Sequence, residues 1–174
     1  IIILNYNTQK LLGQCLESLT ASCQSQIESG KYEVIVVDNA SSDGSPEMVK
    51  KEFPQMKLIT NPENWGFAKG NNVALRQAQG KYILLLNSDT VVEKETLPRM
   101  IKFMEENPKV GVATCRVELA DGSLDPACHR GFPTPWASLT YFLGLEKLFP
   151  KSRIFGRYHL GFLPMDKIHE IDSP

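Results

Sequence analysis

The sequence has no apolar run approaching the roughly 20 residues that a membrane-spanning helix needs. It has no basic excess: 19 Lys and Arg stand against 20 Asp and Glu, a net charge of −1. A nucleic-acid surface is therefore not expected, and no charged block reads as a tail. Four cysteines, Cys15, Cys23, Cys115 and Cys128, include no C-x-x-C pair, which removes the common zinc and redox motifs. Cys15 and Cys23 are spaced to share one helix face and are expected to be buried, reduced thiols. Neither G-x-G-x-x-G after the first strand nor G-x-x-x-x-G-K-[ST] is present, so two familiar phosphate cradles are absent. There is no internal repeat or low-complexity stretch, and Ile1 to Leu4 is too short for a signal-peptide core. The chain opens inside a strand and closes at Ser173-Pro174, and we expect a fragment of a longer protein.

What remains is 174 residues, enough for one domain with a real core. Residues 1–7 form an apolar strand that breaks at Asn5. Thr8 is placed to cap a following helix, in which Leu11, Leu12, Cys15, Leu16 and Leu19 recur at helical spacing to about Gly30. Residues 32–37 are a second strand, and Ser45-Pro46-Glu47 reads as a helix start with Ser45 as cap, ending before Pro54. Lys57 to Thr60 is a short third strand, 67–79 a helix and 81–86 a fourth strand. The strands 32–37 and 81–86 are unbroken apolar runs and should be buried on both faces of a parallel sheet. A helix over 93–106 should turn Leu97, Ile101 and Met104 inward. Residues 110–119 read as a further strand, and Asp121-Gly122 as a hairpin turn. Residues 136–149 look helical and aromatic-rich, and are assigned to core rather than to a membrane contact; 150–174 has no clear period. The alternation specifies an α/β fold with a largely parallel sheet.

Ligands of open α/β sheets bind beyond the carboxyl ends of the strands. Here those ends carry DNASSDGS (38–45) and NSDTVVE (87–93), with the loop NPENWGFAKGNN (61–72) between them. Carboxylates are poor direct phosphate ligands but good ligands for a divalent cation that binds phosphate, so the pattern points to a metal-assisted nucleotide site. Asp38 suits a nucleobase N–H or ribose hydroxyls, against the plainer reading of a turn residue. Asp89 suits Mg²⁺ or Mn²⁺, against a capping role before the next helix. Asp43, in an Asp-Gly pair, is assigned to structure. In the central loop, Gly66 and Gly70 allow close backbone approach, Asn64, Asn71 and Asn72 offer amides, and Lys69 offsets phosphate charge. Trp65 and Phe67 are expected to pack in the core. His129 and Arg130 are expected at the surface, facing a diphosphate or acceptor only as the less favoured reading.

The segments IIILNYNTQKLLGQCLESL, VVDNASSDGS, NPENWGFAKGNNVAL and YILLLNSDTVVE, in that order, resemble the family 2 glycosyltransferases, most closely a bacterial rhamnosyltransferase-like branch. The resemblance is good over 1–120 and weaker through DGSLDPACHRGFPTP and LGLEKLFPKS. It implies a GT-A (nucleotide-diphospho-sugar transferase) fold, a Rossmann-like, mostly parallel sheet flanked by helices. The chain would be one domain fragment, with 1–120 the donor-binding half and 121–174 the start of the acceptor side. The resemblance implies a nucleotide pocket lined by Asn5, Tyr6 and Asn7, with Asp38 at the base and Asn39 and Ser41 nearby. Asn64, Gly66, Lys69 and Asn71 would border the ribose and diphosphate. Asn87, Ser88 and Asp89 would be the D-x-D-type motif, with Asp89 on the metal. Asn87 replaces the first Asp, which removes one anionic ligand and leaves a carbonyl oxygen.

The implied reaction is inverting transfer from a nucleotide sugar, dTDP-rhamnose by the branch resemblance, to a glycan or lipid-linked acceptor in bacterial cell-wall or polysaccharide synthesis. A carboxylate would take the acceptor's proton and the metal would stabilise the leaving diphosphate. That base is expected beyond Pro174. Asp166, Glu170 and Asp172 are present but in no matching context, so the fragment should bind nucleotide and transfer little. Cytoplasmic residence at the inner face of the plasma membrane, with a peripheral membrane contact, goes with such acceptors. Two other readings remain: a non-catalytic nucleotide-binding relative, and a phosphoacceptor signalling domain. The latter wants an acidic pair after the first strand, where Asn5-Tyr6-Asn7 supplies none.

Overall fold

The computed structural model describes residues 1–164 and 167–172. The chain divides into two compact units, Ile1–Ile101 and Lys102–Pro174.

In the first unit the elements run β1 (Ile2–Asn5), α1 (Gln9–Glu28), β2 (Ile35–Asp38), α2 (Ser45–Glu52), β3 (Lys57–Thr60), α3 (Gly66–Leu75), β4 (Leu85–Asn87) and the start of α4 (Thr96–Glu106). The strands form one parallel sheet in the order β3-β2-β1-β4. The chain builds outward from β1 in one direction and then crosses to its other side, so the order switches at β1, where ligand crevices form in open α/β sheets.

Alternation along β1 and β2 divides the core. Ile3 and Val36 pack against α1, through Leu12, Cys15, Leu16, Leu19 and Cys23, and against Met48 and Val49 of α2. Ile2, Ile35 and Val37 face the other way and meet Ala74 of α3. β2 is buried on both faces, as its apolar run predicts, and Ile2 and Ile3 of β1 are buried likewise. Cys15 and Cys23 share the buried face of α1, which departs from helical geometry at Cys23, and all four cysteines are free thiols.

The strand ending at Asn87 departs from expectation. Leu84 and Leu86 pack on the α1-side core, whereas Ile83 and Leu85 are 43% and 48% exposed. β4 is an edge strand, and the main contacts of α3 with the sheet are to β1 and β2, so within the first unit the second face of β4 is largely exposed. In α4 only Leu97 is buried; Ile101 and Met104 are intermediate.

Three helix ends also differ. Thr8 precedes α1 but does not cap it, because its hydroxyl donates to Asn5 Oδ1 at 2.6 Å; the Gln9 N–H goes instead to Asp43 Oδ2 at 2.8 Å. Gly44, not Ser45, is the N-cap of α2, with φ 86°, and Asp43 Oδ1 accepts both the N–H and the hydroxyl of Ser45. α3 stops at Leu75 rather than about 79, where the Gln79 N–H is taken by Glu33 Oε2 at 3.2 Å.

In the second unit the expected strand over 110–119 reduces to one antiparallel bridge, Glu118 with Leu124, around a turn at Gly122 with φ 81°. The turn chemistry is present, but residues before 118 find no partner strand among the described residues. The predicted 136–149 helix is two: α5 (Pro135–Phe142), capped by Thr134, and α6 (Leu145–Leu148), separated by Gly144 at φ 72°. Its large side chains are not core: Trp136, Leu139, Phe142, Leu143 and Leu148 are all exposed, because only Ala137 and Thr140 of α5 turn inward. His129, expected at the surface, is buried, with Nδ1 at 2.8 Å from the His159 carbonyl and Nε2 against His169 Nε2.

Candidate functional site

Three strands present their carboxyl ends side by side. Asn5 of β1 is in register with Asp38 of β2, and Leu4 with Asn87 of β4. Apolar residues hold each strand in the core, and the polar residue that follows must therefore leave at the sheet's edge.

Asn5 is fully buried and organises this edge. Its amide Nδ2 donates to Asp38 Oδ1 at 2.9 Å and to Ser41 Oγ at 3.1 Å, while its Oδ1 accepts the Thr8 hydroxyl. The Thr8 and Ser88 hydroxyls lie 3.0 Å apart. A continuous hydrogen-bonded line thus runs Asp38, Asn5, Thr8, Ser88, from the end of β2 across β1 to the residue beside Asp89. Asp38 is 2% exposed; its second oxygen accepts the Ser41 N–H at 2.8 Å. Each carboxylate oxygen has a further lone pair. Ser41 Oγ accepts the Asn7 N–H, and Asn7 Oδ1 accepts the Ser42 N–H, which locks Asn7 at φ 53°. Ala40, at φ 62°, is a non-glycine residue in the left-handed region next to this network. Tyr6 stands 49% exposed beside it.

The central loop is tied to the same edge through Asn39. That side chain is buried: Nδ2 donates to Asn64 Oδ1 and the Gly66 carbonyl, both at 3.3 Å, and Oδ1 accepts from Asn61 Nδ2 at 2.8 Å. Asn64 Oδ1 also accepts the Gly66 N–H, with Gly66 at φ 71°. Gly70 is indispensable, but for packing: a Cβ there would stand 2.6 Å from Leu4 Cδ1 and about 3 Å from the Asn39 amide. Asn71 is buried and donates to the Phe67 carbonyl in its own helix. The Lys69 ammonium sits 3.9 Å over the Trp65 ring, and Trp65 Nε1 donates to Glu63. Trp65 is only half-buried and Phe67 is 62% exposed, so neither is the core residue expected.

At the end of β4, the Thr90 N–H and hydroxyl both donate to the Asn87 carbonyl, which closes a turn with Asp89 exposed at its corner. Cys15 of α1 also donates to that carbonyl, at 3.7 Å. Burial pushes the Cys15 thiol up to about 11; the nearby Asp89 carboxylate adds to the rise, against hydrogen bonding with Thr90. Among the described residues no three His, Cys, Asp or Glu side chains gather to hold a metal by themselves. The donors present are one exposed carboxylate, Asp89, and the Asn87 amide oxygen. That set fits a hard cation completed by phosphate oxygens and water, and does not fit a closed metal site.

Asn5, Asp38, Asn39, Ser41, Asn7, Asn64, Gly66 and Ser88 are thus brought together, with Tyr6, Lys69 and Asp89 exposed around them. Two members of the network are not assigned by sequence: Thr8, read as a cap, and Asn61. The signal for Asn61 is its place directly after β3, as Asn39 directly follows β2. The open groove between α1 and α2, lined by Gln9, Gly13, Glu17, Met48 and Lys51, contains none of these residues.

A parallel sheet with a polar strand-end site is the architecture of the GT-A glycosyltransferases, and solved structures of that class resemble this chain. The mannosyltransferase PcManGT of Pyrobaculum calidifontis, in complex with GDP-Man and Mn²⁺, matches with 30% identity and a TM-score of 0.60 over 68% of this chain and 34% of its own. TarS 1–349 of Staphylococcus aureus in complex with UDP matches with 28% identity and a TM-score of 0.54, over 70% of this chain and 42% of its own. Over residues 1–162 the sequence matches Glycosyl transferase family 2, and the chain belongs to that family. Poly(ribitol-phosphate) beta-N-acetylglucosaminyltransferase TarS of S. aureus is 32% identical over 110 residues, 62% of this chain and 19% of TarS. Poly(ribitol-phosphate) beta-glucosyltransferase of Bacillus spizizenii is 29% identical over 168 residues, 87% of this chain and 25% of that protein. The chain therefore spans about a fifth to a quarter of the length of these curated relatives.

Proposed function

We propose that this chain forms the donor-binding part of a glycosyltransferase that moves a sugar from a nucleoside diphosphate to a glycan or lipid-linked acceptor, with inversion and with Mg²⁺ or Mn²⁺. The observation that carries this reading is the hydrogen-bonded line from Asp38 through Asn5 and Thr8 to Ser88. It supports a single crevice with a base-recognising end and a phosphate end. Asp38 and Asn7 serve the base edge, Tyr6 offers its exposed ring to the base face, and Asn39 and Ser41 hold the floor. Asn64, the Gly66 backbone, Lys69 and Asn71 border ribose and diphosphate, and Asn87, Ser88 and Asp89 close the phosphate end. A cation at Asp89 supplies charge neutralisation for the departing diphosphate.

The nucleotide base is left open between a pyrimidine and guanine, because similar structures hold UDP and GDP-Man. The branch resemblance suggests dTDP-rhamnose. Thymine and uracil present a ring N–H between two carbonyls, which a carboxylate and an amide complement. The carboxylate that accepts the acceptor's proton is unassigned: Asp172 Oδ2 accepts the Phe132 N–H, Glu170 is exposed, and Asp166 and Pro174 lie outside the described residues. Binding is accordingly the readout for this chain, and we expect little transfer by it alone. A phosphoacceptor role is disfavoured because Asn5, Tyr6 and Asn7 supply no acidic pair after β1. A non-catalytic relative is the second reading, favoured by Asn87 in place of an acid.

Thermal unfolding with UDP, dTDP or GDP, with and without Mn²⁺, tests the proposal. At 100 times Kd a ligand stabilises by about 2.7 kcal/mol, and Tm should rise by about 5–10 °C. No rise beyond the metal-only control with any of the three would overturn the reading. In any form of the protein that transfers sugar, transfer abolished by Asp89→Ala separates an enzyme from a non-catalytic relative.

A further inference from the structure

The second unit carries an apolar, basic face that the donor-binding reading does not use. Along α5, Trp136, Leu139 and Leu143 recur at i, i+3 and i+7, and Phe142 lies beside them; all are exposed, Phe142 at 83%. Leu148 after Gly144 is 71% exposed, and Phe149 and Ile154 are exposed as well. Trp136, Phe149 and Ile154 are tied together through Phe155 and Thr140. Thr140 Oγ1 donates to the Phe155 carbonyl at 3.2 Å, Trp136 Nε1 donates to the Ile154 carbonyl at 3.0 Å, and the Phe155 ring lies 5.6 Å from Phe149 and 6.4 Å from Trp136.

Charge in this stretch has one sign. Between 132 and 157 the cations are Lys147, Lys151, Arg153 and Arg157, all exposed. The single acid there, Glu146, is buried and turned to His159, with Oε1 accepting its N–H at 3.0 Å and Oε2 3.3 Å from Nδ1. Single exposed apolar residues are ordinary, but the seven large ones just named between 136 and 154, interspersed with exposed cations, are not. That mixture, with Trp, Phe and Leu beside Lys and Arg, matches the boundary between lipid headgroups and acyl chains.

We infer that this face seats on an anionic membrane surface. Phe142, Leu143 and Leu148 enter the headgroup–acyl boundary, and Lys147, Lys151, Arg153 and Arg157 lie over anionic headgroups. This docking needs neither nucleotide nor metal, so it stands or falls separately from the donor-binding reading.

Cosedimentation of the 174-residue chain with vesicles tests it. The chain should pellet with phosphatidylcholine–phosphatidylglycerol vesicles at low salt, and much less with pure phosphatidylcholine or at high salt. Lys147→Gln with Lys151→Gln should weaken binding about 30-fold, and Phe142→Ser with Leu143→Ser about tenfold or more. The changed residues are exposed, so circular dichroism and unfolding should stay as in the parent chain. Absence of pelleting, equal affinity for both vesicle types, or unchanged affinity in both variants would overturn the inference. So would a concentration-dependent dimer that Phe142→Ser dissolves, which would assign the face to a second copy.

Discussion

Asp43 shows how one short side chain stabilises two elements at once. One oxygen serves the first N–H of α1, and the other serves the N–H and hydroxyl of Ser45 at the start of α2. Desolvation pushes its pKa up, but hydrogen bonds from Ser45 and Gln9 outweigh this and leave it below 3.8. A depressed carboxylate stabilises the fold above the ordinary carboxylate range and loses that contribution as pH falls through the folded value. Asp43→Ala should cost about 1–2 kcal/mol, read as a loss of about 3–6 °C in Tm at neutral pH, with a smaller difference from the parent chain in acid. Cys15 acts in the opposite direction. Its folded pKa of about 11 against 9.0 means that the unfolded thiol ionises first, so stability falls as pH rises between those values. Urea midpoints over that range should decline less steeply for Cys15→Ala than for the parent chain. Residue type and position made Asp43 legible as structure and Asp38 as a site candidate, and the family resemblance added Asn39. They did not reveal that Thr8 bridges β1 to Ser88, because a hydroxyl before a helix is more often a cap.

Periodicity located the elements well where both strand faces or one helix stripe are buried: β1, β2, β3 and α1 lie close to the positions expected from sequence. It failed where a neighbour decides. The apolar run ending in Asn87 reads as a doubly buried strand, yet Ile83 and Leu85 are exposed. Residues 110–116 have strand composition but no strand to pair with among the described residues. The aromatic stretch 136–149 has helical spacing, which cannot tell a core stripe from a surface one. Gly70 is a related case, since a glycine in a polar loop reads as a ligand contact and serves instead to let α3 close on Leu4 and Asn39. Gly70→Ala should therefore cost about 1–3 kcal/mol in chemical unfolding. Gly111→Ala, where an added Cβ would meet nothing within 4 Å, should be close to neutral.

At the scale of the molecule, the parallel order β3-β2-β1-β4 gathers residues as far apart in sequence as Thr8 and Ser88, 80 positions, onto one edge. The family relation explains why such an edge would bind a nucleotide sugar, and the exposed Asp89 at its end explains how a cation would join it. In the proposed site Asn87 would offer the cation a neutral oxygen where an acid would offer an anionic one. Restoring the acid with Asn87→Asp adds an anionic oxygen ligand and should lower the Mn²⁺ concentration needed for nucleotide binding by about tenfold, as measured by calorimetric titration.

The most direct measurement is a crystal structure of the chain soaked with UDP and Mn²⁺. The account predicts the base beside Asp38 and Tyr6, with the cation bridging the diphosphate to Asp89 at about 2.0–2.3 Å. A nucleotide seated elsewhere, such as the groove between α1 and α2, or a cation bound to the diphosphate with Asp89 out of reach, would contradict it.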